Sequence, residues 1–222
     1  MRLKIEGILW ILRCAAPWRD LPIRFGRWKG VYDASRRWSD SGLWESILAA
    51  LASQHVDEEY LMIDSSSSRV HQDGSGPVGG QLAHAIARSR AGLSTKIHMA
   101  CDALGYPLGF ILTGANVSDF DQCKPLLKRY LKKGSAALMD KGYDSDAIRN
   151  GVNEIGGIAV IAVKADRTLK PDFDQHIYQQ RHKIENLFGK LKRFRRIATR
   201  YEKLYHTFAA MLTLACIMIW LR

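Results

Sequence analysis

Two short apolar runs, each ending in an aspartate, constrain this chain most. Tyr60-Leu61-Met62-Ile63 runs into Asp64, and Ala136-Ala137-Leu138-Met139 runs into Asp140. A continuous apolar run this short predicts a strand covered on both faces. An unpaired buried carboxylate is expensive, so each aspartate is expected where its strand emerges, with a cation or metal as partner. Thr95, Ile97, Met99 and Cys101 alternate with Lys96 and His98, which predicts a strand from Leu93 to Asp102. Leu104-Gly105 turns the chain, and Pro107 to Thr113 returns as the second strand of a hairpin. Ser118 opens a helix to about Lys132, Ser145 caps another to about Asn153, and Gly157 to Val163 is the last predicted strand. Helices alternating with buried strands predict an α/β fold, a mixed sheet covered on both faces. Sheets of this kind place their sites at strand ends.

The stretch from Tyr178 to Lys192 reads as one helix. Ile177, Ile184, Leu187, Phe188 and Leu191 recur at helical spacing and form an apolar stripe. Tyr178, Glu185 and Lys192 are seven apart, so each is turned only about 20° from the last, with Arg181 between them. Taken alone, an amphipathic helix with solvated charges explains this stripe better than a site does. The two aspartates tip the balance. Asp64, Asp140 and Glu185 come from separate segments and meet only through the fold. Hard carboxylate oxygens suit Mg²⁺ or Mn²⁺, which keep open positions for water and phosphate. Arg181 and Lys192 would then grip phosphates beside the reacting one, and Tyr178 would donate to a phosphate oxygen or stack on a base.

Charge points the same way. The formal net charge of +11 is unevenly spread: from Arg181 to Lys203, nine Lys or Arg stand against two Glu. Such an excess suits a polyanion, usually nucleic acid. Arg193, Arg195, Arg196 and Arg200 join Arg181 and Lys192 in this block. Phe188, Phe194, Ile197 and Tyr201 interrupt it, so it is expected to fold. Residues 72–92 hold five glycines and read as a mobile loop, made basic by Arg88 and Arg90. His71, just before it, is a candidate ligand or base, against the more common reading of a hydrogen-bonded structural histidine.

Residues 1–56 read as all-helical, set apart from a larger unit at 57–222. Three apolar stripes carry it: Ile5, Ile8, Leu9 and Leu12; then Trp28, Val31, Ser35 and Trp38; then Leu43, Trp44, Ile47, Leu48 and Leu51. Three short helices with basic flanks fit a helix-turn-helix DNA-binding unit, and fit a cap packed on the larger unit equally well. The first stripe begins almost at Met1, so part of this region is expected to be missing. Arg2, Lys4 and Glu6 lead straight into it, which argues against a signal peptide. Phe208 to Leu221 falls short of the ~20 residues of a membrane span and reads as a buried terminal helix. Cys14, Cys101, Cys123 and Cys216 sit apart among apolar neighbours, as reduced core residues of a cytoplasmic protein do.

On these residues the sequence resembles a bacterial insertion-sequence transposase of the DDE class, in the insertion-sequence-five group. Tyr178, Arg181, Glu185 and Lys192 match that family's Y-R-E-K signature in type and spacing. Leu61 to Ser65 resembles its first-aspartate strand and Leu138 to Tyr143 its second. Arg195 to Lys203 resembles its tail block, and Arg88 to His98 its basic loop and second strand. The resemblance implies a ribonuclease H-like core with Asp64, Asp140 and Glu185 as catalytic metal ligands. It implies Mg²⁺-dependent cleavage of double-stranded DNA at element ends and transfer of the free 3′-hydroxyl to target DNA. It implies a homodimer at synapsis, a nucleoid-associated location in a bacterium, and no membrane. Family members usually carry several tens of residues before the first helix seen here. That departure keeps an alternative open, a truncated or inactive relative that binds DNA without catalysis.

Overall fold

The computed structural model describes residues 1–90, 92–168 and 171–222. Three helices come first: α1 (Arg2–Cys14), α2 (Trp28–Asp40) and α3 (Leu43–His55). The first two strands are β1 (Tyr60–Val70) and β2 (Ala87–Ser89), followed by β3 (Gly92–Cys101) and β4 (Pro107–Gly114). Helix α4 (Asp119–Tyr130), β5 (Ala136–Met139), α5 (Asp146–Ile155) and β6 (Ile158–Ile161) complete the sheet's alternating half. The chain closes with α6 (Gln175–Gln179), α7 (His182–Lys192), α8 (Arg195–Ala198), β7 (Thr199–Arg200) and α9 (Tyr205–Trp220).

β1 is the central strand. It pairs antiparallel with β3, from Met62 opposite Cys101 to Arg69 opposite Ser94. β4 pairs antiparallel on the far side of β3. On its other edge β1 pairs parallel with β5, Met62 opposite Leu138, and β6 pairs parallel with β5. The order is therefore β4-β3-β1-β5-β6, with β2 extending the start of β3 and β7 the end of β1. β5 and β6 are joined through α5, the crossover that a parallel pair requires.

The apolar runs send alternate residues to opposite faces. Met62, Leu138, Ile97 and Met99 face Ile184, Leu187 and Leu191 of α7 and the body of α9. Leu61, Ile63, Ala137 and Met139 face Leu126 and Leu127 of α4 and Ile148 and Val152 of α5. Ile8, Ile11, Leu12, Val31, Trp44 and Leu48 from α1–α3 join the same apolar cluster as α9. α9 is apolar all round and mostly buried, as a central helix should be. Among the described residues no helix is long and apolar enough to cross a membrane.

Four sequence expectations change. β1 does not end at Asp64 but runs on to Val70, because β3 keeps pairing with it after β5 has stopped. Residues 72–92 are not one loop: Ala87–Ser89 pairs with β3, and Ile86 is fully buried. Ala91, in that basic segment, lies outside the described residues, as do Leu169 and Lys170 in the loop before α6. Ile158–Ile161 is not the last strand, since Thr199–Arg200 pairs with the free edge of β1. The helix expected over Tyr178–Lys192 is two helices. Gln180 and Arg181 make i→i−3 bonds, Gln180 N–H to Ile177 O at 2.9 Å and Arg181 N–H to Tyr178 O at 3.0 Å. This tighter turn is of the kind often found at hinges, and it places Arg181 at the entrance of α7.

Candidate functional site

Asp64 and Asp140 lie two residues beyond the paired Met62 and Leu138. The parallel register therefore carries them toward the same end of the sheet on the face that α7 covers, near enough for the charge of Asp140 to act on Asp64. β5 has already ended at Met139, so Asp140 stands at the open end of its strand and accepts a 2.8 Å bond from Gly142 N–H. Asp64 accepts a 2.7 Å bond from Ser65 N–H. Its carboxyl titrates above the ordinary carboxylate range. Burial is the main cause and the charge of Asp140 adds to it, while Ser65 N–H and Arg181 oppose both.

Arg181 ties the site together. Its guanidinium donates one bond to Asp64 Oδ2 at 2.9 Å and another to Glu185 Oε1, one turn into α7. Their two charges, more than its burial allows, raise the already high Arg181 value. The Asp64 side chain is 20% exposed and that of Glu185 56%. Asp64 and Asp140 are thus neighbours, and Glu185 is linked to Asp64 through a cation. Among the described residues no three acidic, histidine or cysteine side chains stand close enough to hold a metal ion. Arg181 was expected on phosphate; here both of its arms hold carboxylates. Tyr178 packs edge-on to Phe173 at 5.4 Å.

The donor set still fits Mg²⁺ or Mn²⁺. The carboxylates are hard oxygen ligands, and the one most buried carries a destabilised charge that a cation would relieve. Glu185 lies at the mouth of the site, on the surface of α7.

The basic residues divide sharply. Lys192, Arg193 and Arg195 are exposed on α7 and just after it, and Arg88 and Arg90 are exposed near β2. Arg196 and Arg200, expected on DNA, are instead inside the protein. Arg196 pairs with Glu202 and donates to Ala16 O at 3.1 Å. Arg200 is 0% exposed. It donates to Glu202 O at 2.8 Å, His84 O at 2.9 Å and Thr95 Oγ1 at 2.6 Å, and lies over the Phe208 ring. Burial lowers its value to about 10. The alternation of aromatics through the block was the signal that some of its cations turn inward. His71 is structural: its Nδ1 accepts from Asp73 N–H, and its ring stacks on Tyr201 at 4.6 Å.

A second polar cluster escaped the sequence reading. On the opposite face of β1, Asp119 Oδ1 lies 3.2 Å from Lys96 Nζ and 3.3 Å from His98 Nδ1. The latter is an ion-pair distance without hydrogen-bond alignment. Burial opposes the Asp119 charge, but His98, Ser65 and Lys96 outweigh it and hold the carboxyl at about 2. Nearby, the buried Tyr143 hydroxyl has no hydrogen-bond partner among the described residues. Burial first, then Asp119, Asp64 and Asp140, push its value far up. The alternation of Lys96 and His98 was visible in the sequence, but nothing there placed Asp119 across from them.

The sheet order defines a ribonuclease H-like fold. The piggyBac transposase, solved as a synaptic complex with hairpin DNA, shares this fold, with a TM-score of 0.59 at 11% identity over 97% of this chain. Residues 56–220 match the family described as "Transposase DDE domain", and residues 1–48 that described as "Putative transposase of IS4/5 family". The chain belongs to the DDE-domain transposases, enzymes that cut and join DNA. It is 40% identical over 131 residues to the Brucella ovis "Putative transposase for insertion sequence element IS6501", covering 59% of this chain and all of that one. The corresponding IS402 protein of Burkholderia cepacia is 31% identical over 140 residues, 59% of this chain and 64% of that one. The chain spans 64% of the piggyBac protein as well.

Proposed function

We propose that the protein cuts double-stranded DNA at the ends of a mobile element and joins the freed 3′-hydroxyl to target DNA. In the first step a water oxygen bonds to phosphorus and the bond to O3′ breaks, leaving a 3′-hydroxyl and a 5′-phosphate. In the second, that 3′-hydroxyl attacks a target phosphate and displaces its O3′. Asp64, Asp140 and Glu185 would hold two divalent ions, Mg²⁺ or Mn²⁺, which when bound activate the attacking oxygen and stabilise the leaving one. Arg181 would exchange its carboxylates for phosphate as the ions enter. Lys192, Arg193, Arg195, Arg88 and Arg90 would bind flanking phosphates, and Tyr178 a phosphate or base edge. A homodimer would hold two ends together, near the nucleoid, with residues 57–222 as the catalytic unit and 1–56 as its helical partner.

The observation that carries this reading is one guanidinium drawn to both Asp64 and Glu185 beside Asp140. Acids from distant segments crowd until a cation is needed. The same contact favours a second reading, a relative in which Arg181 replaces the metal and the protein only binds DNA. Supercoiled-plasmid nicking in Mg²⁺, by wild type and Asp140→Asn, separates the two. Nicking lost in the variant supports catalysis. Salt-sensitive DNA binding with no nicking by either protein supports the second reading.

A further inference from the structure

Asp119 opens α4 on the face of the sheet opposite α7, and no step of the proposed reaction uses it. Its side chain is 38% exposed, yet three neighbours hold the carboxylate. Oδ1 lies 3.2 Å from Lys96 Nζ and 3.3 Å from His98 Nδ1, and the Ser65 hydroxyl donates to the same carboxylate. These partners are fixed in turn. Lys96 Nζ also donates to Val117 O at 2.8 Å, and His98 Nε2 lies 2.8 Å from Thr113 Oγ1. His98 is buried and stands opposite Ser65 in the β1–β3 pairing. A carboxylate engaged from several strands at once is a rigid fixture, not a solvated helix end.

Two connections lead from this fixture to the acids on the other face. The first runs through Ser65. Its hydroxyl is on Asp119, and its N–H donates to Asp64 Oδ1 at 2.7 Å. Ala136 N–H bonds Glu59 O, and the backbone groups of successive strand residues point to alternate edges. Ser65 N–H therefore lies on the edge that β5 leaves open after Met139, where the Asp64 carboxylate takes it. Asp119 thus grips the residue whose amide grips Asp64. The second connection runs through α4, which packs on β1 and on the turn Lys141–Tyr143 just after Asp140. The Tyr143 side chain is buried there. After burial itself, the charges of Asp119, Asp64 and Asp140 act on its hydroxyl in that order. All three carboxylates are therefore near one buried phenol, though they come from both faces of the sheet.

We propose that Asp119 is a positioning residue for the divalent-ion site: through the Ser65 hydroxyl it fixes the Asp64 carboxylate from behind the sheet. The inference rests on the reading of Asp64, Asp140 and Glu185 as ligands of that ion. Carboxylates that bind metal are oriented by their own hydrogen-bond partners, and losing one such partner costs about 10–100-fold in metal affinity.

The test uses the full chain. Mn²⁺ binding is titrated by calorimetry, half-saturating Mn²⁺ for plasmid nicking is measured in parallel, and thermal melting accompanies every variant. Ser65→Ala is expected to weaken Mn²⁺ about tenfold in both titrations, and Ser65→Thr, which keeps the hydroxyl, to restore it. Asp119→Ala should weaken Mn²⁺ at least as much. Ser65→Ala should then cost nothing further in the Asp119→Ala background, because both act through one contact. Loss of fold alone would instead lower the melting temperature, with additive effects. Unchanged Mn²⁺ affinity in folded Ser65→Ala, or additive losses in the double variant, overturns the proposal. Should Asp119→Ala fail to fold, the two Ser65 variants decide: rescue by threonine supports the proposal, and equal losses in both overturn it. Wild type that neither binds Mn²⁺ nor nicks in its presence overturns the metal reading itself, a different result from equal affinities among variants.

Discussion

Replacing Arg181 by methionine should make the protein bind Mn²⁺ more tightly and cut DNA less well. Arg181 occupies the carboxylates that the proposed mechanism assigns to an ion. Its bond to Asp64 joins side chains 17% and 20% exposed, where a charge-assisted hydrogen bond contributes about 1.5–3 kcal/mol net. Its bond to Glu185 meets water and resembles an exposed i,i+4 pair, about 0.3–0.5 kcal/mol. An entering ion must loosen both, so removing them lowers the competition by about 2–3 kcal/mol. That corresponds to roughly 30–150-fold in affinity. Part is returned because Asp64, deprived of its cation, holds its proton more firmly; working at pH 8 keeps that part small. A net gain of about tenfold or more is expected. Calorimetric titration of Mn²⁺ into DNA-free wild type and Arg181→Met measures it, with plasmid nicking followed in parallel. Unchanged or weaker Mn²⁺ binding by a folded variant would refute the view that Arg181 holds the place of the metal.

Other predictions follow from the same charges. The raised Asp64 value means that this group favours the fold below its ordinary value of 3.8, and that the contribution is lost as pH rises through the raised value. Wild type should therefore lose melting temperature relative to Asp64→Asn as pH rises from 3 to 7. Asp144 is the opposite case. Burial raises its value, but Lys164 N–H, Arg149 and Arg167 together hold it low. Its contribution is present above 3.8 and lost as pH falls through the lowered value, so acid unfolding should shift upward in Asp144→Asn. At neutral pH, urea unfolding of that variant should show a loss of about 3–5 kcal/mol, since Arg149 is left buried beside a neutral group. Arg200→Met should destabilise the protein and leave the salt dependence of DNA binding intact. Lys192→Ala and Arg193→Ala should barely change stability, and each should reduce the salt slope by about 0.9.

The closeness of Asp64 to Asp140 was legible in part, because each follows an apolar run that folds as a strand and the two strands pair. The pleat then sends Met62 and Leu138 to one face and Leu61 and Ala137 to the other. The pairing of Glu185 with Arg181 was legible from their four-residue spacing, and the reach of Arg181 to Asp64 was not. The break at Gln180–Arg181 was not, because residues on both sides keep helical periodicity and only the hydrogen-bond pattern tightens. Arg196 and Arg200 were misplaced for a related reason. Charge counts describe a segment, whereas burial depends on what other segments, here Glu202, His84 and Thr95, bring to meet it. Asp119 was missed because its partners Lys96 and His98 lie on β3, and only the packing of α4 on the sheet brings them to it.

α9 touches nearly everything else that is apolar on its side of the sheet. It supplies the partner surface for α2, α3 and β4, yet it comes after them all in the chain. During synthesis the early segments must therefore wait, greasy and unsheathed, until Tyr205–Trp220 arrives. Such a late keystone makes maturation slow and nearly all-or-none. A chain cut before this helix would leave α2, α3 and β4 without that cover and is expected to be degraded.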